Sequence, residues 1–210
     1  MLSASGELKE LLIERVKNKR GNYLLAYQNS MFSDELLNSI FKHDVYELPL
    51  ERNIQLITDK WAEFAEKAMQ ENKTYIFECC FIQNPITVAM VKYGAQKEIV
   101  LDYVMELASI IEPLNPQLFY IVQDDLEFSF KKAIMERPKE WSSGFIEYYT
   151  NQGYGKEMGY QGIDGTLKVL KKRRAIENDI FDLLKMNKEK VNNSQCKKEK
   201  YKTLLMEKLK

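Results

Sequence analysis

The chain is poor in the residues that build metal and disulfide frameworks: one histidine, His43, and three cysteines in 210 residues. The cysteine count is odd, Cys79 and Cys80 are adjacent, and no second pair stands at ligand spacing. That argues against a disulfide scaffold and against a zinc site, and for reduced thiols in a cytoplasmic protein. No uncharged apolar run reaches the roughly 18 residues that a membrane-spanning helix needs, so no membrane partner is expected. The start, Met1 to Glu7, has no basic-then-apolar pattern and does not read as a secretory signal. Charge of one sign is missing too. Lys and Arg number 31 against 31 Asp and Glu, so no global field steers the chain toward nucleic acid. What remains, 45% hydrophobic and 30% charged residues, is the composition of a globular chain rather than a disordered one.

The neutral total hides an asymmetry. Residues 166–210 carry 14 Lys and Arg and 6 Asp and Glu, a net of +8 balanced by −8 before them. Lysines alternate with glutamates in this tail, which reads as a solvated helix face more simply than as a nucleic-acid arm.

Helical periodicity is widespread. Leu8, Leu11, Leu12 and Val16 recur at helical spacing, with Gly21 as a stop. Ser33 can cap a second helix, with Asp34 and Glu35 in its first turn and Leu36, Leu37, Ile40 and Phe41 as its stripe. After Pro49, Ile54, Ile57, Trp61, Phe64, Ala65 and Ala68 share one face of a helix ending near Asn72-Lys73. Two more helices are expected at roughly 85–93 and 97–112, the second closed by Pro113 and Pro116. Asp124-Asp125 can cap a helix carrying Leu126, Phe130, Ala133 and Ile134. A last helix spans Thr166 to Leu184.

Between these, Thr74 to Ile82 is a run of β-branched, aromatic and small apolar residues and reads as a buried strand. Gln117 to Val122 is the second convincing strand. Tyr23–Tyr27, Asp44–Leu48 and Lys190–Asn193 are weaker candidates. Strands alternating with helices over long crossovers predict an α/β fold, a helix-rich parallel sheet flanked by helices. Residues 1–184 are expected to form one domain and 185–210 a C-terminal strand and basic helix. Two good strands are fewer than such a sheet needs.

Ligands of parallel sheets bind beyond the carboxyl ends of the strands, which directs attention to Glu78, Gln123 and Asp124. Glu78 is a catalytic candidate, as a ligand of magnesium-bound water or a base toward a substrate hydroxyl; the plainer reading is a carboxylate satisfied by amides or one cation. Gln83 and Asn84 could read a base or sugar, or shape the turn before Pro85. Cys79 and Cys80 read as small core residues, because no basic neighbour would activate a thiol. Five of nine glycines fall between Gly153 and Gly165, among Phe145, Tyr148, Tyr149, Tyr154 and Tyr160. That composition fits a mobile lid over a planar ligand, with Tyr154 as a contact, or a surface loop with packed tyrosines. Arginines number six against 25 lysines. Arg137 ends a helix where the lid would open. Arg173 lies on the apolar stripe of its helix, so it must snorkel, pair with a carboxylate such as Glu78 or Asp124, or take a phosphate. Arg174 points the other way and reads as solvated.

As a set, Glu47-Leu48-Pro49-Leu50, Trp61-x-x-Phe64-Ala65, Tyr75-Ile76-Phe77-Glu78-Cys79-Cys80-Phe81-x-Gln83-Asn84-Pro85, Pro113-Leu114-Asn115-Pro116, Glu136-Arg137-Pro138-x-x-Trp141 and Gln152-Gly153-Tyr154-Gly155 resemble a bacterial family of P-loop proteins. That family is similar to the thymidylate kinase-like nucleoside and nucleotide kinases, and the resemblance runs from about Glu7 to about Leu184. It implies a P-loop kinase-like sheet, Mg and ATP as cofactors, and a nucleoside or nucleotide as small-molecule partner. Glu78 would face substrate and magnesium, residues 137–165 would be the lid, and Arg137 would face phosphate.

The family's G-x-x-x-x-G-K-[ST] loop, whose amides, Lys and Ser/Thr hold the phosphates and Mg²⁺, occurs nowhere in this sequence. The chain therefore looks like that family minus its first strand and P-loop, which would account for the strand deficit. Three readings follow: a kinase-type enzyme represented by an incomplete, inactive chain, a non-catalytic protein of the same ancestry that binds small molecules or proteins, or a hydrolase built around Glu78 that needs no P-loop. Exposed strand edges would favour self-association in each case.

Overall fold

The structure, a computed structural model, describes residues 13, 16–19, 22–25, 32–195, 202–203 and 206–207. The chain divides into two compact units, residues 1–53 and 54–210. Leu8, Leu11, Leu12, Gly21, Ala26, Tyr27 and Cys196 lie outside the described residues.

In the first unit, β1 (Val16–Lys19) and β2 (Asn22–Leu25) form an antiparallel hairpin, with Val16 opposite Leu25 and Lys19 opposite Asn22. Val16 thus belongs to a strand and not to the expected first helix. Helix α1 (Asp34–Phe41) starts as its sequence dictates: the Ser33 hydroxyl accepts from the Leu36 amide at 3.3 Å, satisfying one of the free N–H groups of the first turn. Leu36 and Ile40, one turn apart, bury with Phe32, and Leu25 packs against them. Residues 42–48 are turns, so the strand expected at Asp44–Leu48 is absent. The Asp44 carboxylate accepts from the Tyr46 amide at 2.9 Å, a local bond that competes with extended structure. Asn53 is fully buried and donates to the Val45 carbonyl at 2.8 Å.

Helix α2 (Leu50–Ala68) begins in the first unit and supplies Ile54 onward to the second. There Trp61 joins Tyr103, Leu107 and Ile111 of α4 (Lys97–Ile111), with Ile57, Phe64, Phe81 and Met186 packed around them. The deepest core of this unit comes from α4 and the segment before it: Ile86, Ala89, Val91, Val100, Val104 and Leu107 expose no surface. Helix α3 (Gln83–Ile86) runs into a π-helical turn over Thr87–Lys92.

Strand β3 (Gln117–Val122) pairs in parallel with β4 (Asn187–Asn192), Gln117 opposite Asn187 and Val122 opposite Asn192. Between them run α5 (Leu126–Glu136), α6 (Lys139–Thr150), α7 (Gly153–Glu157) and α8 (Gly162–Leu183). On α8, Val169, Ile176 and Ile180 are buried, whereas Leu183 is half exposed. The architecture is helix-rich with a small parallel sheet, compatible with α/β.

The largest departure from expectation is Thr74–Ile82. This segment forms no strand: Thr74–Phe77 has no regular secondary structure, and Ile76 is 85% exposed. Strand propensity expresses fit to a pleated, covered surface, and among the described residues no strand lies beside this one. Cys79 stands at φ 65° in the left-handed region, and α3 starts four residues on. Gly153–Gly165 is no irregular loop either; it forms α7 and the start of α8. Three of its glycines permit close approach, Gly165 against the Tyr160 backbone among them. A Cβ on Gly155 would stand 2.0 Å from the Tyr149 carbonyl oxygen, and one on Gly153 2.3 Å from that of Val91.

Candidate functional site

Two polar constellations are built around α8. The first is buried. The Arg173 side chain is 15% exposed, and its Nε donates to Glu177 Oε1 at 2.8 Å, one turn along the same face. Its Nη1 donates to the Tyr149 hydroxyl of α6 at 2.6 Å and to Thr87 Oγ1 of the π turn at 3.4 Å. The other Glu177 oxygen accepts from the Tyr120 hydroxyl of β3 at 2.8 Å. One ion pair thereby ties four elements, and each buried charge has its counter-charge and hydrogen bonds, which is the condition for tolerating it. Burial pulls the Arg173 guanidinium down, but Glu177 and Tyr149 more than offset it, so it lies above its ordinary value. Burial, then the Glu177 charge, pushes the Tyr120 hydroxyl far up. Arg173 therefore pairs with Glu177, and not with Glu78 or Asp124.

The second constellation lies at the carboxyl ends of β3 and β4. The Asn193 amide donates to the Val122 carbonyl, and the Asp124 amide to Ser194 Oγ, each at 2.8 Å. Asn192 Nδ2 donates to Asp124 Oδ1 at 2.8 Å. These bonds, first from Asn192 and then from Ser194, hold the Asp124 carboxyl below the usual range. Asp125 caps α5 through the Phe128 amide at 2.8 Å. Above this clasp opens a groove of about 600 Å³, lined by Asp124, Asp125, Leu126 and Glu127 on one side and Lys171, Arg174, Ala175 and Asn178 of α8 on the other.

The three carboxylates are occupied differently from the two cations. Asp124 is bound by Asn192, Asp125 by the Phe128 amide, and Glu127 by Lys131 at 2.7 Å. Lys171 and Arg174 make no ion pair of their own among the described residues, though Arg174 helps lower Asp124 and Lys171 helps lower Glu127. The expectation that Arg174 faces solvent is thus corrected: it is half-buried and walls the groove. The groove offers two donors three residues apart on one helix, apolar lining from Leu126 and Ala175, and acceptors from the loop after β3. That set suits a small molecule bearing an anionic group and hydroxyls.

The candidates read from sequence fall into two places. Glu78, expected at a buried strand end, is exposed on irregular chain because that strand does not form. Gln83 and Asn84 open α3 beside it: Cys79 Sγ donates to Gln83 Oε1 at 3.5 Å, and the Asn84 amide to the Cys79 carbonyl at 3.0 Å. Burial, then the Glu78 and Cys80 charges, raise the Cys79 thiol, and Arg173 partly counters them. Glu78 and Arg173 thus act on the Cys79 thiol in opposite senses. Cys79 is exposed and Cys80 half-buried, both free, so only Cys80 joins the core as expected.

Arg137 is exposed and lies over the Trp141 ring at 4.3 Å. From there a column of rings at helical spacing runs down α6, Trp141 to Phe145 at 5.1 Å and Phe145 to Tyr149 at 4.3 Å, ending on Arg173. Tyr154 stands apart with Tyr160, their rings edge-on at 6.2 Å; burial first, then Tyr160, raises its hydroxyl.

Sequence reasoning missed Glu177, Tyr120, Tyr149, Lys171 and Arg174. The spacing Arg173-x-x-x-Glu177 was the visible signal for the first; the tyrosines come from distant elements and carry none. No family model, no curated protein and no solved structure matches this chain.

Proposed function

We propose that this chain is a P-loop kinase-like protein that binds a nucleoside or nucleotide in the groove at the carboxyl ends of β3 and β4. The observation that carries the reading is the position of that groove. It lies at the carboxyl edge of a parallel strand pair joined through helices, where α/β sheets bind ligands, and it is walled by two cations that make no ion pair among the described residues. Arg174 supplies planar donors for a phosphate or a sugar hydroxyl, and Lys171 a second positive charge. Leu126 and Ala175 give apolar lining for a base. Arg173 acts as a structural ion pair that fixes α8 and hence Arg174. The lid role of residues 137–165 and substrate roles for Glu78, Gln83, Asn84, Arg137 and Tyr154 belong to the same reading, through the resemblance.

Mg and ATP belong to this reading through the resemblance only, because the chain carries no Walker A sequence to hold them. No phosphoryl-transfer step is assigned to this chain, and the reading is one of binding. Thermal melts with nucleosides, nucleoside monophosphates and Mg·ATP test it. A ligand at about 100 times its Kd adds about 2.7 kcal/mol, a shift of several degrees at this size. Stabilisation by nucleosides or monophosphates is expected. A cooperative melt that none of these ligands moves would overturn the reading, and a shift with Mg·ATP alone would place the nucleotide site elsewhere.

A further inference from the structure

The two strands of the parallel sheet carry each other's expected composition. β3, Gln117-Leu118-Phe119-Tyr120-Ile121-Val122, has no charge, proline or glycine. β4, Asn187-Lys188-Glu189-Lys190-Val191-Asn192, alternates charges. Lysine and glutamate are what guards an outer strand against further pairing, whereas an uncharged β-branched and aromatic run belongs inside a sheet. Yet among the described residues β3 pairs only with β4, so each has one open edge.

The chemistry of the open β3 edge follows from the ladder. The Asn193 amide donates to the Val122 carbonyl, so Val122, Tyr120 and Leu118 turn their backbone groups toward β4. In a strand the alternate residues turn theirs the other way. Phe119 and Ile121 therefore present N–H and C=O groups along an uncharged edge, and Ile121 is 40% exposed. Such an edge is a template for another strand.

We propose that a second copy of this chain fills it, β3 pairing antiparallel with β3 of the partner copy about a two-fold axis through Phe119–Ile121. The edge is self-complementary, as a two-fold interface requires. Pairing places both apolar strands inside and both charged β4 strands outside, so the lysines and glutamates of β4 stop growth at two copies. This inference is independent of the nucleotide reading: its test reads mass, not ligand.

The experiment is sedimentation equilibrium of the wild-type chain over a hundredfold concentration range, with Ile121→Pro and Ile121→Lys. Proline at 121 deletes the N–H of the open edge while leaving every bond to β4, a placement that outer strands tolerate. The wild type is expected to be dimeric, and both variants monomeric with a dissociation constant raised at least a hundredfold. If Ile121→Pro fails to fold, Ile121→Lys decides. A wild type that stays monomeric throughout, a dimer that survives the substitutions, or a monomer whose Phe119 and Ile121 amides resist hydrogen exchange would each overturn the proposal.

Discussion

Replacing Glu177 by alanine isolates the interaction that organises α8. In the native protein its two oxygens accept from Arg173 Nε and the Tyr120 hydroxyl, both at 2.8 Å, and its side chain is 9% exposed. The substitution leaves a guanidinium that is only 15% exposed without its counter-charge, at a cost of about 3–5 kcal/mol. Tyr120 loses its acceptor as well, which alone costs about 1 kcal/mol. Because Arg173 keeps Tyr149 and Thr87 and can swing partly to water, the sum lands near the lower end, about 3–4 kcal/mol. Tyr120→Phe, which removes only the donor, should cost about 1 kcal/mol. The double variant Arg173→Met, Glu177→Leu should recover most of the loss, since an apolar pair of similar volume leaves no charge stranded. Urea unfolding gives all three values from midpoints at an unchanged slope. A Glu177→Ala cost under about 1 kcal/mol, or a double variant as unstable as the single one, would refute the view that these charges are buried and mutually dependent.

Further expectations follow from other sites. Tyr120 has its hydroxyl pushed up by burial and then by Glu177, so the unfolded chain ionises first. Its contribution to stability is complete below the unfolded value of about 10. It falls by about 1.4 kcal/mol per pH unit above that, until pH passes the folded value; urea unfolding between pH 9 and 11 should show this fall, lessened in Tyr120→Phe. Gly155→Ala should destabilise by about 1–3 kcal/mol, because its Cβ meets the Tyr149 carbonyl, whereas Gly144→Ala, with nothing within 4 Å, should stabilise α6 by about 1 kcal/mol. Thr58 has a buried hydroxyl without a partner among the described residues; Thr58→Val should raise stability by about 1 kcal/mol. Ile76→Ser should change stability by less than about 0.5 kcal/mol, because Ile76 is 85% exposed; a loss of several kcal/mol in calorimetry would mean that Thr74–Ile82 is a buried strand after all.

These contrasts mark what a sequence can convey. Local rules located α1 through Ser33, α5 through Asp125, the buried stripe of α2 and the strand at Gln117–Val122, because each depends on neighbours a few residues away. They failed at Thr74–Ile82, whose strand-like composition is a statement about what should lie beside it; among the described residues no strand does, and Tyr75 and Phe77 pack instead on Phe64 and Trp61 of α2. The position of Arg173 on an apolar stripe correctly marked it as a residue needing a partner. Its pairing with Glu177 was readable one turn away, but Tyr149 and Tyr120 arrive through tertiary structure. Arg174 was assigned to solvent because helix phase alone cannot register the loop after β3 that faces it across the groove. Of the site, the strand end at Asp124 was legible and the cations opposite were not.

The most direct test of the account is a calorimetric titration of the wild-type chain and Arg174→Met with a nucleoside monophosphate at low salt. Saturable binding by the wild type, weakened at least tenfold in the variant, is the predicted result, about 1.5–3 kcal/mol for a hydrogen bond to a charged group. No binding by a cooperatively folded wild type, or equal binding by both chains, would contradict the assignment of the groove.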